Sequence, residues 1–366
     1  MNHKLTVHYN QIPIYDILIN SNFEGLQDAL TGLDMTGRRF MIISDSNVSK
    51  YYLDNCLEAL KPIAKEAISH VITAGEHSKN LDTVYDCYEL LIRSGFDRND
   101  VLVALGGGVV GDLTGFIAAT YLRGIRFIQI PTSLLAMVDS SIGGKTGVDF
   151  NGYKNMIGAF HQPKLVYINL ETLNTLPDAE FYSGMSEIIK HGLIKNKSYY
   201  KWLKDNKSGI KEKDLTILAE MIMESCKIKR AVVEADPKEE GERALLNFGH
   251  TIGHAVEKLM NLNYLHGECV AIGIAAASHI SLRRGWQSQE EYEDILDTLV
   301  NFHQPISISG LKAEDILDVT RHDKKMDADK IKFILLEGIG QAVIDTSVTQ
   351  EEMLNAIEAI IRPSSN

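Results

Sequence analysis

The chain has 366 residues, of which 45% are hydrophobic and 23% charged, and its formal net charge is -12. That length accommodates two domains with cores of their own, and the balance is ordinary for a soluble globular protein. The acid excess argues against nucleic acid or an anionic membrane surface as the main partner, although a local lysine cluster can still hold an anionic substrate.

The first residues lack the apolar run of a signal peptide, and no apolar stretch anywhere reaches transmembrane length. From 39 to about 170, short β-rich runs alternate with helical patterns. The run 40–43 ends in Ser44-Asp45-Ser46-Asn47, and 69–73, 101–105 and 126–130 read likewise, with amphipathic stretches such as 80–94 between them. Such alternation implies βα units around a mostly parallel sheet, whose ligands sit at the carboxyl ends of strands. After Pro177 helical periodicity takes over, at 179–194, 214–235, 243–260 and 268–284. Ser288-x-x-Glu291 and Thr349-x-x-Glu352 are capping boxes, and one β-like run, 331–336, interrupts the helices. The expected architecture is an α/β, Rossmann-like N-terminal domain (1–177) followed by an all-α C-terminal domain (178–366). The four cysteines, Cys56, Cys87, Cys226 and Cys269, form no C-x-x-C pair. That excludes a zinc ribbon or disulfide framework and makes a reducing cytoplasm the expected location.

Gly106-Gly107-Gly108 follows the 101–105 strand and opens a helix at 109–120. Glycines there let backbone N–H groups approach a phosphate, which the helix N-terminus also favours. Gly106, Gly108 and Gly111 satisfy G-x-G-x-x-G, but no acidic residue stands about 20 positions on to bind a ribose. Asp45, at the end of an earlier strand, can take that role. Gly144-Lys145-Thr146 resembles the end of a P-loop, yet Asp139 stands where the leading glycine is required, so an ATPase is excluded.

The stretch 139–147 is too polar and glycine-rich for a core strand and reads as a loop. With Lys154-Asn155 close behind, it offers Lys145 and Lys154 as mobile point charges for a carboxylate or phosphate. Glu187 and Lys190 are i, i+3 on one helix, where a surface ion pair is the plain reading. Lys227, Lys229 and Arg230 share another helix, where a solvated face is the plain reading. His250 and His254, four apart, project from one helical face, and His266 follows beyond the end of that helix. With a carboxylate such as Glu187 these imidazoles can hold a divalent metal. Arg243 and Asn247, i, i+4 on the same predicted helix, would line the same face. Spacing does not say which histidines bind.

Taken together, these segments resemble 3-dehydroquinate synthase, a sugar-phosphate cyclase. The resemblance rests on Gly-Gly-Gly-Val-Val-Gly-Asp at 106–112, Arg123-Gly124, Pro131-Thr132-Ser133, 139–146, Lys154-Asn155, 184–190, 243–254 and His266-Gly267-Glu268. It implies a metal- and NAD-dependent cytoplasmic enzyme acting on 3-deoxy-D-arabino-heptulosonate 7-phosphate. A hydroxyl is oxidised, phosphate eliminated, the ketone reduced back, and the opened ring closed to a carbocycle, with phosphate itself serving as the base. By the resemblance, Glu187, His250 and His266 hold zinc or cobalt, and His254 takes part in proton transfer. Lys145, Asn155, Lys190, Lys229, Arg243 and Asn247 hold the substrate. Arg123 reaches its phosphate from a second subunit, implying a homodimer. The NAD contacts are Asp45, Asn47, Glu76, Lys79, Gly107, Gly108, Val109, Asp112, Thr132, Ser133 and Thr175, with Asp139, Lys145 and Lys154 between cofactor and substrate. Asp323-Lys324-Lys325 supplies a further substrate lysine, either Lys324 or Lys325. Rival classes are other sugar-phosphate cyclases, a metal-dependent polyol or alcohol dehydrogenase, and a non-catalytic metal-binding protein.

Overall fold

The computed structural model describes residues 3–239, 241–261, 263–323 and 331–362. The chain divides into two compact units, one of 1–176 with 213–230, the other of 177–212 with 231–366.

The first unit is built on a seven-stranded sheet. In chain order its strands are β1 (His3–Tyr9), β2 (Ile12–Asn20), β3 (Arg39–Asp45), β4 (Glu66–Ile72), β5 (Val101–Gly106) and β6 (Arg126–Pro131). The hairpin strands β7 (Lys145–Phe150) and β8 (Tyr153–Phe160) form a separate two-stranded sheet, and β9 (Leu165–Asn169) returns to the large one. The spatial order is β1-β2-β9-β6-β5-β3-β4. Only β1 runs antiparallel to its neighbour, joined to β2 through Asn10 and Gln11, both at positive φ (49° and 65°) as a two-residue hairpin turn requires. The parallel core strands are continuous apolar runs because both faces are covered, and β5 and β9 are buried at every residue. Helices α1 (Leu26–Gly32), α2 (Ser49–Leu60), α3 (Leu81–Arg93) and α4 (Gly108–Thr120) do the covering. One face buries Met41, Ile43, Leu102 and Ala104, and the other Phe40, Ile42, Val101 and Val103. After β3 the chain turns outward to β4, and after β5 it turns the opposite way to β6. The crevice beyond the carboxyl ends of β3 and β5 is therefore the topological switch point, where such sheets take their ligands.

The second unit is helical, with α5 (Asp178–Lys195), α6 (Lys197–Asp205), α7 (Lys207–Lys211), α9 (His250–Leu259), α10 (His266–Arg283), α11 (Gln289–Asn301), α12 (Ala313–Asp323) and α13 (Gln350–Ile360). The long α8 (Leu215–Ala235) belongs to the first unit as far as Arg230. The β-like run near 331–336 is one arm of a hairpin, β10 (Phe333–Gly338) with β11 (Gln341–Asp345), so this part of the chain is not purely helical. Helix α10 is apolar nearly all round and packs against α5, α9, α13 and β10, as a central buried helix must.

At the end of α10 one cation gathers three segments. Arg284 Nε and Nη2 donate to Glu352 at 2.6 and 3.0 Å, and Nη1 donates to Asp345 Oδ2 at 3.0 Å. Glu352 also closes the capping box of α13 by accepting from the Thr349 N–H at 2.8 Å. The Arg284 hydrogen bonds, helped by that cap, draw the Glu352 carboxyl down from its ordinary 4.5 to about 2. A depressed carboxyl stabilises the fold fully above its ordinary value and loses that contribution as the pH falls towards the folded value. Glu352→Gln is thus expected to cost about 1–2 kcal/mol at pH 7. Urea unfolding of both proteins should show the difference shrinking between pH 4.5 and about 2. A gap unchanged at low pH would contradict the assignment.

Candidate metal centre and nucleotide turn

In the second unit the helical register of α5 puts Glu187 and Lys190 on one face, and both are fully buried rather than paired at the surface (0% and 1% exposed). Lys190 Nζ pairs with Glu187 Oε2, and Oε1 accepts no hydrogen bond from a described residue. His250 Nε2 lies 3.7 Å and His266 Nε2 3.9 Å from Glu187 Oε1. The three imidazole rings converge, with centroids 5.1 Å (His250–His254), 5.3 Å (His250–His266) and 6.0 Å (His254–His266) apart. Ligand atoms of Glu187, His250 and His266 all fall within 4.8 Å of one another.

The His250 imidazole is oriented. His250 Nδ1 lies 3.1 Å from the Phe248 carbonyl, which only an Nδ1–H satisfies, so Nε2 presents its lone pair. Burial, then Lys190 and the other two imidazoles, pushes the His250 pKa well below the usual histidine range and keeps the ring neutral at pH 7. A buried carboxylate with an oxygen that accepts no hydrogen bond is costly unless a cation lies beside it. Lys190 supplies part of that charge. Two imidazoles, that of His250 neutral, and a carboxylate are the donor set of a zinc or cobalt site, so these residues fit a divalent metal.

The expected single helix over 243–260 is broken. Residues Glu242–Asn247 form a short 3₁₀ segment, and α9 starts only at His250, after Gly249 at φ +79°. A side chain at Gly249 would also meet the Val270 carbonyl and Ile274 at 2.7 Å. Arg243 and Asn247 therefore do not share the helical face of His250. Arg243 Nη1 donates to the Pro237 carbonyl at 2.8 Å, and Asn247 Nδ2 donates to Glu239 at 3.2 Å. His266 is the first residue of α10, and Glu268 accepts from the Leu265 N–H at 2.8 Å, which makes the Glu of His-Gly-Glu a helix-starting residue. Lys324 and Lys325 lie outside the described residues.

In the first unit the glycine turn stands at the switch point. Gly107 caps α4 without a side chain, leaving the N–H groups of its first turn, Gly108 and Val109 included, open to an anion. The hydroxyls of Ser133 and Ser140 flank it, 3.4 and 3.2 Å from where a Cβ on Gly107 or Gly108 would lie. Thr132 N donates to the Gly106 carbonyl at 3.0 Å. Across the crevice, Asp45 accepts from Asn47 N (2.8 Å) and Val48 N (3.1 Å), so one of its oxygens is committed to the turn into α2.

Beside the turn Lys79 is a buried hub. Its Nζ donates to Asp112 Oδ2 at 2.7 Å and to Asn155 Oδ1, with Glu76 at 3.9 Å. Burial raises the carboxyl pKa of both Asp112 and Glu76, against the pull of Lys79. Lys145, Lys154 and Asn155 do not share a loop. Lys145 opens β7 and the other two lie on β8, because Thr146 and Val148 are buried beneath α4 and draw the segment into a hairpin. On α8 the solvated-face reading holds for Lys227, paired with Glu224 at the surface. It fails for Lys229, whose buried ammonium meets the Asp139 carbonyl at 2.6 Å and the Asp139 carboxylate. Thr175 is taken up by the Tyr52 hydroxyl at 2.6 Å. Arg123 stands apart, exposed just past the far end of α4, roughly 18 Å along that helix from the glycine turn.

Two polar partners escaped the sequence reading. Asp149 accepts from Asn155 N at 2.8 Å, a contact across a hairpin that spacing does not reveal. Glu257 lies 3.5 Å from His266 Nδ1, and its place three residues after His254 on the same helical face was visible in the spacing.

The family profile described as 3-dehydroquinate synthase N-terminal matches residues 69–183, and the one described as 3-dehydroquinate synthase C-terminal matches 184–326. A 3-dehydroquinate synthase of Acetivibrio thermocellus is 43% identical over 346 residues, 94% of this chain and 96% of that protein. Among solved structures, 2-epi-5-epi-valiolone synthase from Streptomyces hygroscopicus, with NAD+ and Zn2+ bound, superposes with a TM-score of 0.87 at 26% identity, covering 97% of this chain and 99% of that one. A 2-deoxy-scyllo-inosose synthase complexed with carbaglucose-6-phosphate, NAD+ and Co2+ gives 0.88 at 24% identity, with 98% and 100% covered, and shares the fold.

The placement of His266 depends on Gly267, where an added Cβ would fall 1.9 Å from the Ser183 carbonyl oxygen of α5. Gly267→Ala is expected to lower stability by about 1–3 kcal/mol and to weaken metal binding by moving His266. Melting curves and metal titration of the variant check this; wild-type values for both would refute it.

Proposed function

The chain belongs to the 3-dehydroquinate synthase family, and from that premise we propose that it converts 3-deoxy-D-arabino-heptulosonate 7-phosphate to 3-dehydroquinate and phosphate. It is then a carbon–oxygen lyase of the shikimate pathway with no net redox change. The observation that carries the reading is the convergence of Glu187, His250 and His266 beside the buried ammonium of Lys190.

Glu187, His250 and His266 would hold zinc or cobalt. Asp45, Asn47, Glu76, Lys79, Gly107, Gly108, Val109, Asp112, Thr132, Ser133 and Thr175 would hold NAD, its diphosphate at the open N-terminus of α4. When bound, these groups would supply hydride acceptance and return, and Lewis-acid polarisation of the hydroxyl being oxidised.

The chain's own residues supply charge and position. Lys190 is held rigidly beside the metal ligands, so its ammonium can bind a substrate hydroxyl or carboxylate without first being ordered. Lys145, Asn155, Lys229, Arg243 and Asn247 would bind the remaining anionic and hydroxyl groups, with Asp139 and Lys154 between cofactor and substrate. Oxidation at one carbon acidifies the neighbouring C–H, so phosphate leaves as that proton is lost, and the phosphate takes the proton. Reduction then restores the hydroxyl, and the ring opens and closes by aldol addition. His254, on the exposed side of α9, would pass protons in these last steps. Arg123 would reach the phosphate of a second subunit, making the working form a homodimer. All four cysteines are buried free thiols, with burial raising those of Cys56, Cys87 and Cys226 to about 12, which suits a reducing cytoplasm.

The test is phosphate release and dehydroquinate formation with NAD present, before and after chelation. Turnover without net NADH, lost on chelation and restored by zinc or cobalt, is expected. NADH production from a polyol, with silence on the phosphosugar, would move the chain to the dehydrogenases. His250→Ala should lose metal and turnover together. Lys145→Ala should keep the metal and lose roughly 100-fold or more in turnover. Full activity in either variant would sink the assignment.

A further inference from the structure

His266 stands between two carboxylates, with Nε2 3.9 Å from Glu187 Oε1 and Nδ1 3.5 Å from Glu257 Oε2. Glu257 lies on α9 at i+7 from His250 and i+3 from His254, the same face, so the helix that supplies one imidazole also supplies the oxygen behind another. It is nearly buried (9% exposed), whereas His254 faces solvent. His250 has the same arrangement, with a carbonyl behind its Nδ1 and Glu187 before its Nε2.

We infer that Glu257 is a positioning residue for the metal centre, accepting the Nδ1–H of His266 so that Nε2 is held towards Glu187. The assignment rests on the metal site proposed above. A carboxylate behind an imidazole fixes the tautomer, stops the ring from flipping and raises the basicity of the ligating nitrogen. His266 needs this more than His250, because it is half-buried at the very start of α10. The competing arrangement is a second cation held by His254, Glu257 and His266, whose ligand atoms also lie within 4.8 Å of one another.

The test uses the full-length chain stripped by chelator, with zinc and cobalt affinities measured by competition against a chromophoric chelator. Visible spectra of the cobalt form are recorded alongside. One metal per wild-type chain is expected. Glu257→Leu should weaken binding roughly 10- to 100-fold and shift the cobalt bands. Glu257→Gln, which keeps an acceptor oxygen without the charge, should weaken it about three- to tenfold, with the melting temperature of the metal-free protein unchanged. If the leucine variant fails to fold, the glutamine variant decides. Affinity within twofold of wild type and unshifted cobalt bands would overturn the inference. So would two metals per wild-type chain, the second lost in Glu257→Gln. A wild-type chain that binds no metal would overturn the metal reading itself.

Discussion

Helices α9 and α10 approach so closely that no side chain fits between parts of them. A Cβ on Gly273 would lie 1.7 Å from the Gly249 carbonyl oxygen, and one on Gly253 would lie 2.7 Å from that of Cys269. Backbone contact of this kind has no slack, because main chain cannot swing aside as a rotamer can. His250 opens one helix and His266 the other, so the separation of these two imidazoles is set by two rigid cylinders in contact. Gly267 performs the same service against α5, the helix that carries Glu187 and Lys190. Three candidate donors from three helices meet because three backbones touch.

Much of this was readable from residue order. The parallel sheet announced itself in apolar runs such as 101–105, since strands covered on both faces have no solvent side to alternate with. The His250–His254 spacing and the glycine triplet stood out as motifs, and the structure brings His250 together with His266 and Glu187. What order could not convey was burial. Glu187–Lys190 and Lys229 had the sequence pattern of surface charges, and only the packed structure shows them enclosed. The 243–260 segment read as one helix because a single glycine carries little weight in a periodic pattern. Gly249 breaks it for a reason located on α10, a tertiary cause outside any local window. The 145–160 hairpin escaped for a like reason: its glycines and charges look like loop composition, and what draws it into strands is contact with α4. Glu257 was missed although its spacing was visible, because the role depends on which nitrogen of His266 faces it.

The two halves of the chain handle buried charge in contrasting ways. Around Lys79 the cation is saturated by oxygen partners, including Asp112 and Asn155, so that network is already satisfied and rigid. Around Glu187 one buried oxygen pairs with the Lys190 ammonium, and the other accepts no hydrogen bond from a described residue. A network of this kind holds its part of the chain in shape, whereas the Glu187 pair leaves one buried oxygen facing His250 and His266.

Backbone type divides the candidate groups only in part, since Lys190 and Lys229, also proposed for the substrate, lie on helices α5 and α8. The candidate metal donors sit at helix positions locked by glycine contacts, while Lys145, Asn155, Arg243 and Asn247 sit on a hairpin and a 3₁₀ segment. A strand edge or a short turn can exchange residues at little cost to its neighbours, but the helical trio cannot. Under the roles proposed above, residues of the hairpin and the 3₁₀ segment could change while the histidine cluster keeps its geometry, because helix contacts set that geometry.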